Sequence, residues 1–471
     1  MIPKEHPVSS PLQLPENFNP KTHLLSKTTE NGLFHESRAG ARLAERLLQN
    51  GHPDDIAQAE KTLDATLKCQ ETNPNDPHVG NFYWMAEDDV VGDLNAVEFC
   101  LESLIPMMID HGDKLSLPMQ QRVREAIRLG LEEIRRINVR VTYSNITALD
   151  ILNTCLGGEL LNDAQIAQRG YDKLVEWMAY TDQHGHPREF NSPTYISVFI
   201  NAFKRLSDHI KHEPTRIRAR TLSARLGISI ALHIHQATGR WAGPHSRAYH
   251  PSVVCETAPE IQMVNRWIDS GALPNWVSDI LNYPNPFDIA ETADNDLKSS
   301  FTTHQNPSFS LGVATREYGG QSDVLMAHYV REGADRPGVL YTRYLLDDKW
   351  LGDFYHATDR TKSRNLIDEG KFIGMQNGPC AIGLYTPQNL GTVKSAKACF
   401  IFTQIELIDE IWIGNQRITT FPAHVPEGQT IVIGSGKALF AIRPLSRTDI
   451  GRNAPIRLVE KAGDLVLEIY N

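Results

Sequence analysis

The pattern of hydrophobic and polar positions changes once along the chain. From about Ser37 to about Leu281, apolar or small residues recur at helical spacing, and the segments between them are short. "ESRAGARLAERLLQNG" ends on Gly51, which is typical of a helix end, and "PDDIAQAEKTLDATLKCQ" opens on a proline beside acidic residues, which is typical of a first turn. This pattern predicts about nine helices joined by short loops.

The second part of the chain reads as short β-branched and aromatic runs, such as "GVLYTRYLL" and "DLVLEIYN", separated by Gly, Pro, Asn and Asp turns. Runs of strands after runs of helices predict an α+β fold. We expect an N-terminal extension over residues 1–36, an α/α toroid over 37–295 and an antiparallel β-sandwich over 296–471. Helices should end near residue 282, and strands should dominate after about residue 305.

Composition and charge narrow the classes of function. With 41% hydrophobic and 22% charged residues, no long apolar stretch and no signal-like N-terminus, the chain is predicted to be cytoplasmic, with no membrane partner. A net charge of −10 argues against a nucleic-acid partner, although a local basic cleft would still suit an acidic substrate. Six cysteines without C-x-x-C spacing predict free thiols. Whether the protein forms a homo-oligomer is left open.

The segment "GRWAGPHSRAYHP" (Gly239–Pro251) concentrates proton-handling and anion-handling residues between two helical patterns. Its glycines and Pro244 end the preceding helix, so an extended segment is predicted. On such a segment His245, Arg247 and Tyr249, two residues apart, would point to the same side. They are the first candidates for catalysis. The alternative is a structural loop whose arginine pairs with a carboxylate and whose tyrosine covers the core.

Two further clusters lie where loops meet helices, at positions that would line one mouth of a toroid. "VTYSNITALD" places Asn145 at a helix start, where it is either a catalytic candidate or an N-cap. "GHPREFNSPTYISVF" supplies Asn191 as a catalytic candidate and Tyr195 as a substrate-binding candidate in a first helical turn. Ser192 is the expected N-cap of that helix.

Other residues are candidates for holding a sugar. In "PHVGNFYWMAEDD", His78, Tyr83 and Trp84 would form a stacking wall. In "KWLGDFYHATDRTKSRN", His356 and Arg360 would grip substrate, unless the segment is an inter-domain salt-bridge patch.

A group of carboxylates permits a rival chemistry. An inverting glycosidase needs two carboxyl groups about 6.5–9.5 Å apart. Acidic side chains are dense between Glu87 and Glu98, although a solvated helix start attracts acidic residues for other reasons. The members of this group are Glu87, Asp88, Asp89, Asp93 and Glu98.

A helical toroid followed by an antiparallel β domain resembles the toroid-type polysaccharide lyases, including the heparinase II/III, alginate and chondroitin lyase groups. The resemblance covers the architecture of nearly the whole chain; the sequence is also similar to an uncharacterised bacterial family, which adds no chemistry. The lyase resemblance implies Asn, His, Arg and Tyr around a scissile uronate, without a metal or an organic cofactor. Asn145 or Asn191, His245, Arg247 and Tyr249 match those residue types.

The residue types suit β-elimination. Arg247 would neutralise the uronate carboxylate with a two-pronged hydrogen bond. His245 or Tyr249 would remove the C5 proton, and a tyrosine would protonate the leaving oxygen. The sequence therefore predicts a carbohydrate-active lyase whose partner is an acidic oligosaccharide or polysaccharide. The alternatives are an inverting glycoside hydrolase that uses the Glu87–Glu98 carboxylates and a non-catalytic glycan-binding protein.

Overall fold

The computed structural model describes residues 10–319, 321–350, 354–356, 361–363, 367–387, 391–445 and 455–470, with the backbone alone at 354–356, 361–363 and 387. Within these residues, a helical region precedes a region rich in antiparallel sheet, which confirms the predicted α+β class. The helices are α1 (Ser37–Asn50), α2 (Pro53–Leu67), α3 (Ala96–His111), α4 (Leu117–Ile137), α5 (Ser144–Leu161), α6 (Ala164–His184), α7 (Tyr195–His209), α8 (Glu213–His233), α9 (His250–Val253), α10 (Glu260–Asp269) and α11 (Val277–Leu281).

Short strands accompany the helical region, and longer strands follow it. The first group is β1 (Phe18–Asn19), β2 (Leu24–Thr29), β3 (Gly32–His35), β4 (Ile234–His235) and β5 (Arg240–Trp241). The second group is β6 (Phe287–Asp294), β7 (Ser299–Gln305), β8 (Phe309–Ala314), β9 (Leu325–Tyr329), β10 (Gly338–Leu346), β11 (Phe354–His356), β12 (Thr361–Ser363), β13 (Gly370–Asn377), β14 (Cys380–Pro387), β15 (Ala396–Phe402), β16 (Glu410–Ile413), β17 (Gln416–Arg417), β18 (Ala423–His424), β19 (Ile431–Ser435), β20 (Ala438–Ile442), β21 (Ile456–Lys461) and β22 (Asp464–Tyr470).

The chain divides into two compact units. Unit 1 contains Met1–Tyr180, Asn201–Leu222 and Tyr355–Thr361, and unit 2 contains Thr181–Ile200, Ser223–Phe354 and Lys362–Asn471. Helices α6, α7 and α8 each contribute to both units. The sequence-based boundaries at 36/37 and 295/296 remain predictions.

The start of unit 1 shows how the sequence specifies the helices. Helix α1 buries a stripe of alanines and leucines and ends where Gly51 adopts a left-handed conformation with φ 74°, donating its N–H to Leu47 O at 3.2 Å. Helix α2 has a proline at its first position and Asp54 and Asp55 in its first turn. The two helices approach so closely that a Cβ at Gly40 would lie 2.4 Å from Thr66 Oγ1.

Several strands were not anticipated, among them those at the start of the chain and those directly after the helical region. Residues 18–35, expected only as an extension, form the antiparallel sheet β1-β2-β3. Strand β6 ends at Asp294 and strand β7 ends at Gln305, so the strands begin earlier than expected, whereas α11 ends near the predicted position. Their sequences, "FDIAETAD" and "SSFTTHQ", are rich in polar residues, which masks the hydrophobic alternation of a strand.

Unit 2 is organised by a nine-stranded antiparallel sheet with the order β18-β21-β22-β15-β10-β9-β8-β7-β6. One hydrophobic cluster joins this sheet to the hairpin β13–β14 and to the four-stranded sheet β17-β16-β19-β20, through residues such as Leu340, Phe372 and Ile433. A second cluster joins Met326 and Tyr341 of the large sheet to the segment 248–255. The chain that follows Pro244 is therefore anchored on the sheet.

The backbone at Gly243 lies so close to strand β8 that the contact can be tested by a substitution. A Cβ added at Gly312 of β8 would lie 1.8 Å from Gly243 O, and that same oxygen accepts a hydrogen bond from Thr303 Oγ1 at 2.7 Å. We expect Gly312→Ala to destabilise the protein by about 1–3 kcal/mol, the usual scale of overpacking. Chemical denaturation measures the effect. Gly319→Ala is the control, because a Cβ there meets open space, and equal stabilities for the two variants would contradict the close approach.

Among the described residues, none of the helices combines the length and the apolar composition needed to cross a membrane. All six cysteines are free thiols.

Candidate active site

The segment Gly239–Pro251 lies in unit 2, and most of it is buried. Arg240, which is 3% exposed, donates from Nη2 to the carbonyl oxygens of Cys255 at 2.8 Å and Thr257 at 2.7 Å. The Trp241 indole, which is 1% exposed, donates to Asn191 Oδ1 at 2.6 Å. These two polar side chains therefore hold the connector in place.

Asn191 acts as the hub of this scaffold. Its Nδ2 donates to Ala242 O at 2.9 Å and to Pro244 O at 2.7 Å, while its Oδ1 accepts from Trp241. Both amide hydrogens are thus used inside the unit, and the residue has a φ of 44° in the left-handed region that asparagine tolerates. We therefore place Asn191 among the positioning residues, in contrast to the expectation that its side chain contacts substrate.

His245 is also part of the scaffold. Its ring is buried, and Nδ1 lies 2.6 Å from the Asn191 carbonyl oxygen, so this nitrogen carries the proton. Burial lowers the pKa of His245, against the opposing effect of the nearby Asp323 carboxylate. His245 is 3% exposed, whereas Arg247 and Tyr249 are partly exposed, so the structure gives no support to the expectation that all three side chains open into one cleft.

Arg247 and Tyr249 do converge, and they meet Tyr195. The hydroxyl oxygens of Tyr195 and Tyr249 are 2.6 Å apart, and Arg247 Cζ lies 4.3 Å from the centroid of the Tyr195 ring. Ser192 aligns the two chain segments, because its hydroxyl accepts from Tyr195 N at 3.2 Å and donates to Arg247 O at 2.6 Å. The side chains of Tyr195, Arg247 and Tyr249 are partly exposed.

Burial and charge set the protonation states here. Burial raises the pKa of Tyr195, and the neighbouring Arg247 cation offsets this only in part. Tyr195 is therefore a neutral phenol at neutral pH. Burial lowers the pKa of Arg247, but its neighbours, among them the Glu189 carboxylate, raise this pKa by more than burial lowers it, so the guanidinium stays charged.

Arg247 has two side-chain partners, Glu189 and Gln321, that were not predicted by residue, although a carboxylate partner is what the structural-loop alternative expects. Glu189, whose side chain is 1% exposed, accepts from Arg247 Nη1 at 2.8 Å. Gln321 Oε1 accepts from Arg247 Nε at 3.1 Å and from Nη2 at 2.9 Å. The sequence contains one indication that Glu189 is buried, namely its position in "REFNS" beside Phe190. Phe190 is buried, and its ring stacks on Phe301 with 4.9 Å between the centroids.

The predicted sugar wall lies in unit 1 and is described there by itself. Trp84 is 5% exposed and packs on Phe99 at 5.5 Å between ring centroids, so it offers almost no open stacking face, contrary to expectation. Tyr83 donates its hydroxyl to Glu71 Oε2 at 2.5 Å, and His78 Nδ1 lies 3.1 Å from the buried Glu133 carboxylate. Tyr83 and His78 therefore have local partners, and their role in binding a sugar stays a prediction.

Asn145, also in unit 1, is 1% exposed and lies in the first turn of α5. The residue before that helix is Tyr143, so Asn145 is not its N-cap. His356 lies in β11 with its side chain outside the described part of the chain, and Arg360 falls outside the described residues altogether.

Several carboxylates of the rival cluster have local partners. Glu87 Oε1 lies 2.6 Å from His35 Nδ1, Asp88 accepts from Met85 N at 3.0 Å, and Asp93 accepts from Asn95 N at 3.0 Å. Glu98 is buried and accepts from Asn153 Nδ2 at 2.9 Å. Burial, followed by the charge of Asp150, raises the pKa of Glu98 well above its usual range.

A surface groove of about 910 Å³ lies in unit 1 and carries none of the predicted site residues. Its cationic side chains, Arg169 and Lys173, are both paired with the buried Asp150. In the described part of the chain, no three His, Cys, Asp or Glu side chains are grouped in a way that could hold a metal ion.

Residues 12–268 match the model of a family described as Domain of unknown function (DUF8769). Because this match covers more than half of the chain, the chain belongs to that family. The match includes Glu189, Tyr195, Arg247 and Tyr249, and it ends before Gln321. No curated protein matches the chain.

Proposed function

We propose that this protein is a carbohydrate-active lyase that cleaves a uronate-containing glycan by β-elimination. The observation that carries the proposal is the pair of tyrosine hydroxyls 2.6 Å apart beside the Arg247 guanidinium, in a partly exposed site. In this proposal the helical region is part of an α/α toroid and the sheet region is a β-sandwich. The Glu87–Glu98 hydrolase chemistry gains no support from the local partners of those carboxylates.

Tyr249 is the group that moves the proton. Its oxygen accepts the C5 proton, the C5–H electron pair forms the C4–C5 double bond, the C4–O bond breaks, and the leaving oxygen takes the proton from Tyr249. Tyr195 keeps its own proton, because burial raises its pKa, and its hydroxyl, 2.6 Å from that of Tyr249, holds the Tyr249 oxygen in position. The chemistry makes no use of the buried His245 ring.

Arg247 binds the carboxyl group next to C5 and stabilises the negative charge that develops there. Three of its five N–H groups are held by Glu189 and Gln321, which fixes the guanidinium over Tyr195. The other two are the donors that we assign to the substrate.

The direct test uses a panel of uronic-acid oligosaccharides and follows the ultraviolet absorbance of the C4–C5 double bond. A lyase creates this chromophore, a hydrolase gives only new reducing ends, and a binding protein gives neither. Absence of the chromophore across the panel, together with new reducing ends, would establish the hydrolase alternative.

Substitutions at Arg247 should separate positioning from charge. We expect Arg247→Ala to lower kcat/KM by about 10²-fold or more, since a charge-assisted hydrogen bond and the stacked guanidinium are lost together. Arg247→Lys keeps the charge but loses the planar fork, so its activity should lie between those of the wild type and the alanine variant. Steady-state kinetics with the same oligosaccharide measure both variants. A lysine variant as impaired as the alanine variant would show that geometry, not charge, is what the site requires.

A further inference from the structure

We infer that the site takes a uronate whose carboxyl group is esterified and therefore neutral, and that Glu189 sets this preference. The inference rests on the proposed β-elimination and adds the substrate class. It starts from the environment of Arg247, in which a buried carboxylate lies 2.8 Å from the guanidinium.

The first step concerns charge balance. The Glu189 side chain is 1% exposed and that of Arg247 is 23% exposed, so water screens this pair weakly. The other side chain that holds the guanidinium, Gln321, is uncharged. The Arg247–Glu189 pair therefore has no excess positive charge with which to attract an anion.

The second step concerns the ligand. A free uronate would bring a second carboxylate to a guanidinium that is already paired with Glu189, and the two carboxylates would repel each other beside this weakly screened pair. An ester brings no charge, yet its carbonyl oxygen still accepts a hydrogen bond from the two remaining Arg247 donors. Binding therefore favours the ester.

The third step concerns reactivity. Removing the C5 proton beside an ionised carboxylate places a second negative charge next to the first. When the carboxyl group is esterified, the negative charge that develops on proton removal is the only charge on that part of the substrate, so this charge needs less stabilisation from the protein. A guanidinium that is partly offset by Glu189 suits this smaller demand. The proton moves to Tyr249 and on to the leaving oxygen, the C4–C5 double bond forms, and the ester itself is unchanged.

The test compares two oligosaccharides of equal length, one with free carboxylates and one with methyl esters. We expect kcat/KM for the methyl ester to exceed that for the free acid by about 10-fold or more, because one neighbouring charge shifts such equilibria by roughly that factor. In Glu189→Gln, which keeps a hydrogen-bond acceptor but no charge, the ratio should fall by about 10-fold. Both rates come from one preparation, so the folded fraction cancels from their ratio.

Binding gives a readout that does not depend on turnover. The same oligosaccharides are titrated into Tyr249→Phe by calorimetry, and the ester should bind more tightly. Faster cleavage or tighter binding of the free acid would overturn the substrate class while leaving β-elimination intact. An unchanged ratio in Glu189→Gln would remove Glu189 as its determinant. Ester binding without double-bond formation by the wild type would refute the lyase proposal but support the neutral-ligand preference, and binding of neither oligosaccharide would overturn both.

Discussion

Replacing Tyr249 by phenylalanine should abolish most turnover while leaving substrate binding nearly intact. The substitution removes one hydroxyl, the group that we assign to proton transfer, and it keeps the ring beside Tyr195. Loss of a general acid or base lowers turnover by about 10²-fold or more, and KM should change little because the carboxyl contact is made by Arg247. Initial rates of double-bond formation, with folding checked by thermal melting, measure the effect.

A tyrosine in unit 1 provides the matched control. Tyr171 also donates its hydroxyl to a partner, Glu159 Oε1 at 2.8 Å, so Tyr171→Phe loses a comparable hydrogen bond outside the site. Its kcat should stay close to that of the wild type. An active Tyr249→Phe enzyme, combined with an inactive variant of Asp88, Asp89, Asp93 or Glu98, would refute the lyase assignment in favour of the hydrolase.

Where hydrophobic residues follow a regular pattern, the sequence predicted the helices and strands well. Strand β10 begins and ends with the predicted run "GVLYTRYLL". Eight of its nine residues are buried, and a buried strand of this kind is recognised in a sequence by its high content of hydrophobic residues. Strands β13 and β14 were missed, since glycines interrupt their alternation. A Cβ at Gly374 would lie 2.5 Å from Ala314 O, so close packing, which local patterns do not report, requires these glycines.

The candidate site was predicted in part, for reasons visible in its backbone. Arg247 and Tyr249 both contact Tyr195, a residue that the spacing within the segment does not indicate. The backbone bends at Ser246 and Arg247, so the extended geometry on which the common direction of His245, Arg247 and Tyr249 was predicted is interrupted there. Glu189 and Gln321 are 58 and 74 residues away from Arg247 in sequence, so no local spacing could pair them with it.

The second large effect is expected in the core of unit 1. Asp150 of α5 is fully buried, with Arg169 Nη1 and Lys173 Nζ each 2.5 Å from its carboxylate oxygens. Lys173 is 5% exposed. Asp150→Asn keeps the shape of the side chain but leaves both cations without their counter-charge. Because an uncompensated buried charge is costly, the free energy of unfolding should fall by about 3–5 kcal/mol.

Chemical denaturation compares this variant with Asp172→Asn on α6, where the carboxylate is exposed and accepts from Gln168 Nε2 at 2.8 Å. The control should change stability by no more than about 0.5 kcal/mol, as surface substitutions usually do. Adding Lys173→Met to Asp150→Asn should restore part of the loss, since it removes one of the uncompensated cations. If Asp150→Asn costs less than about 1 kcal/mol, the buried cations have another source of compensation. The nearby Glu98 would then be the candidate, because the Asp150 charge that helps to raise its pKa is gone and its carboxyl group can ionise.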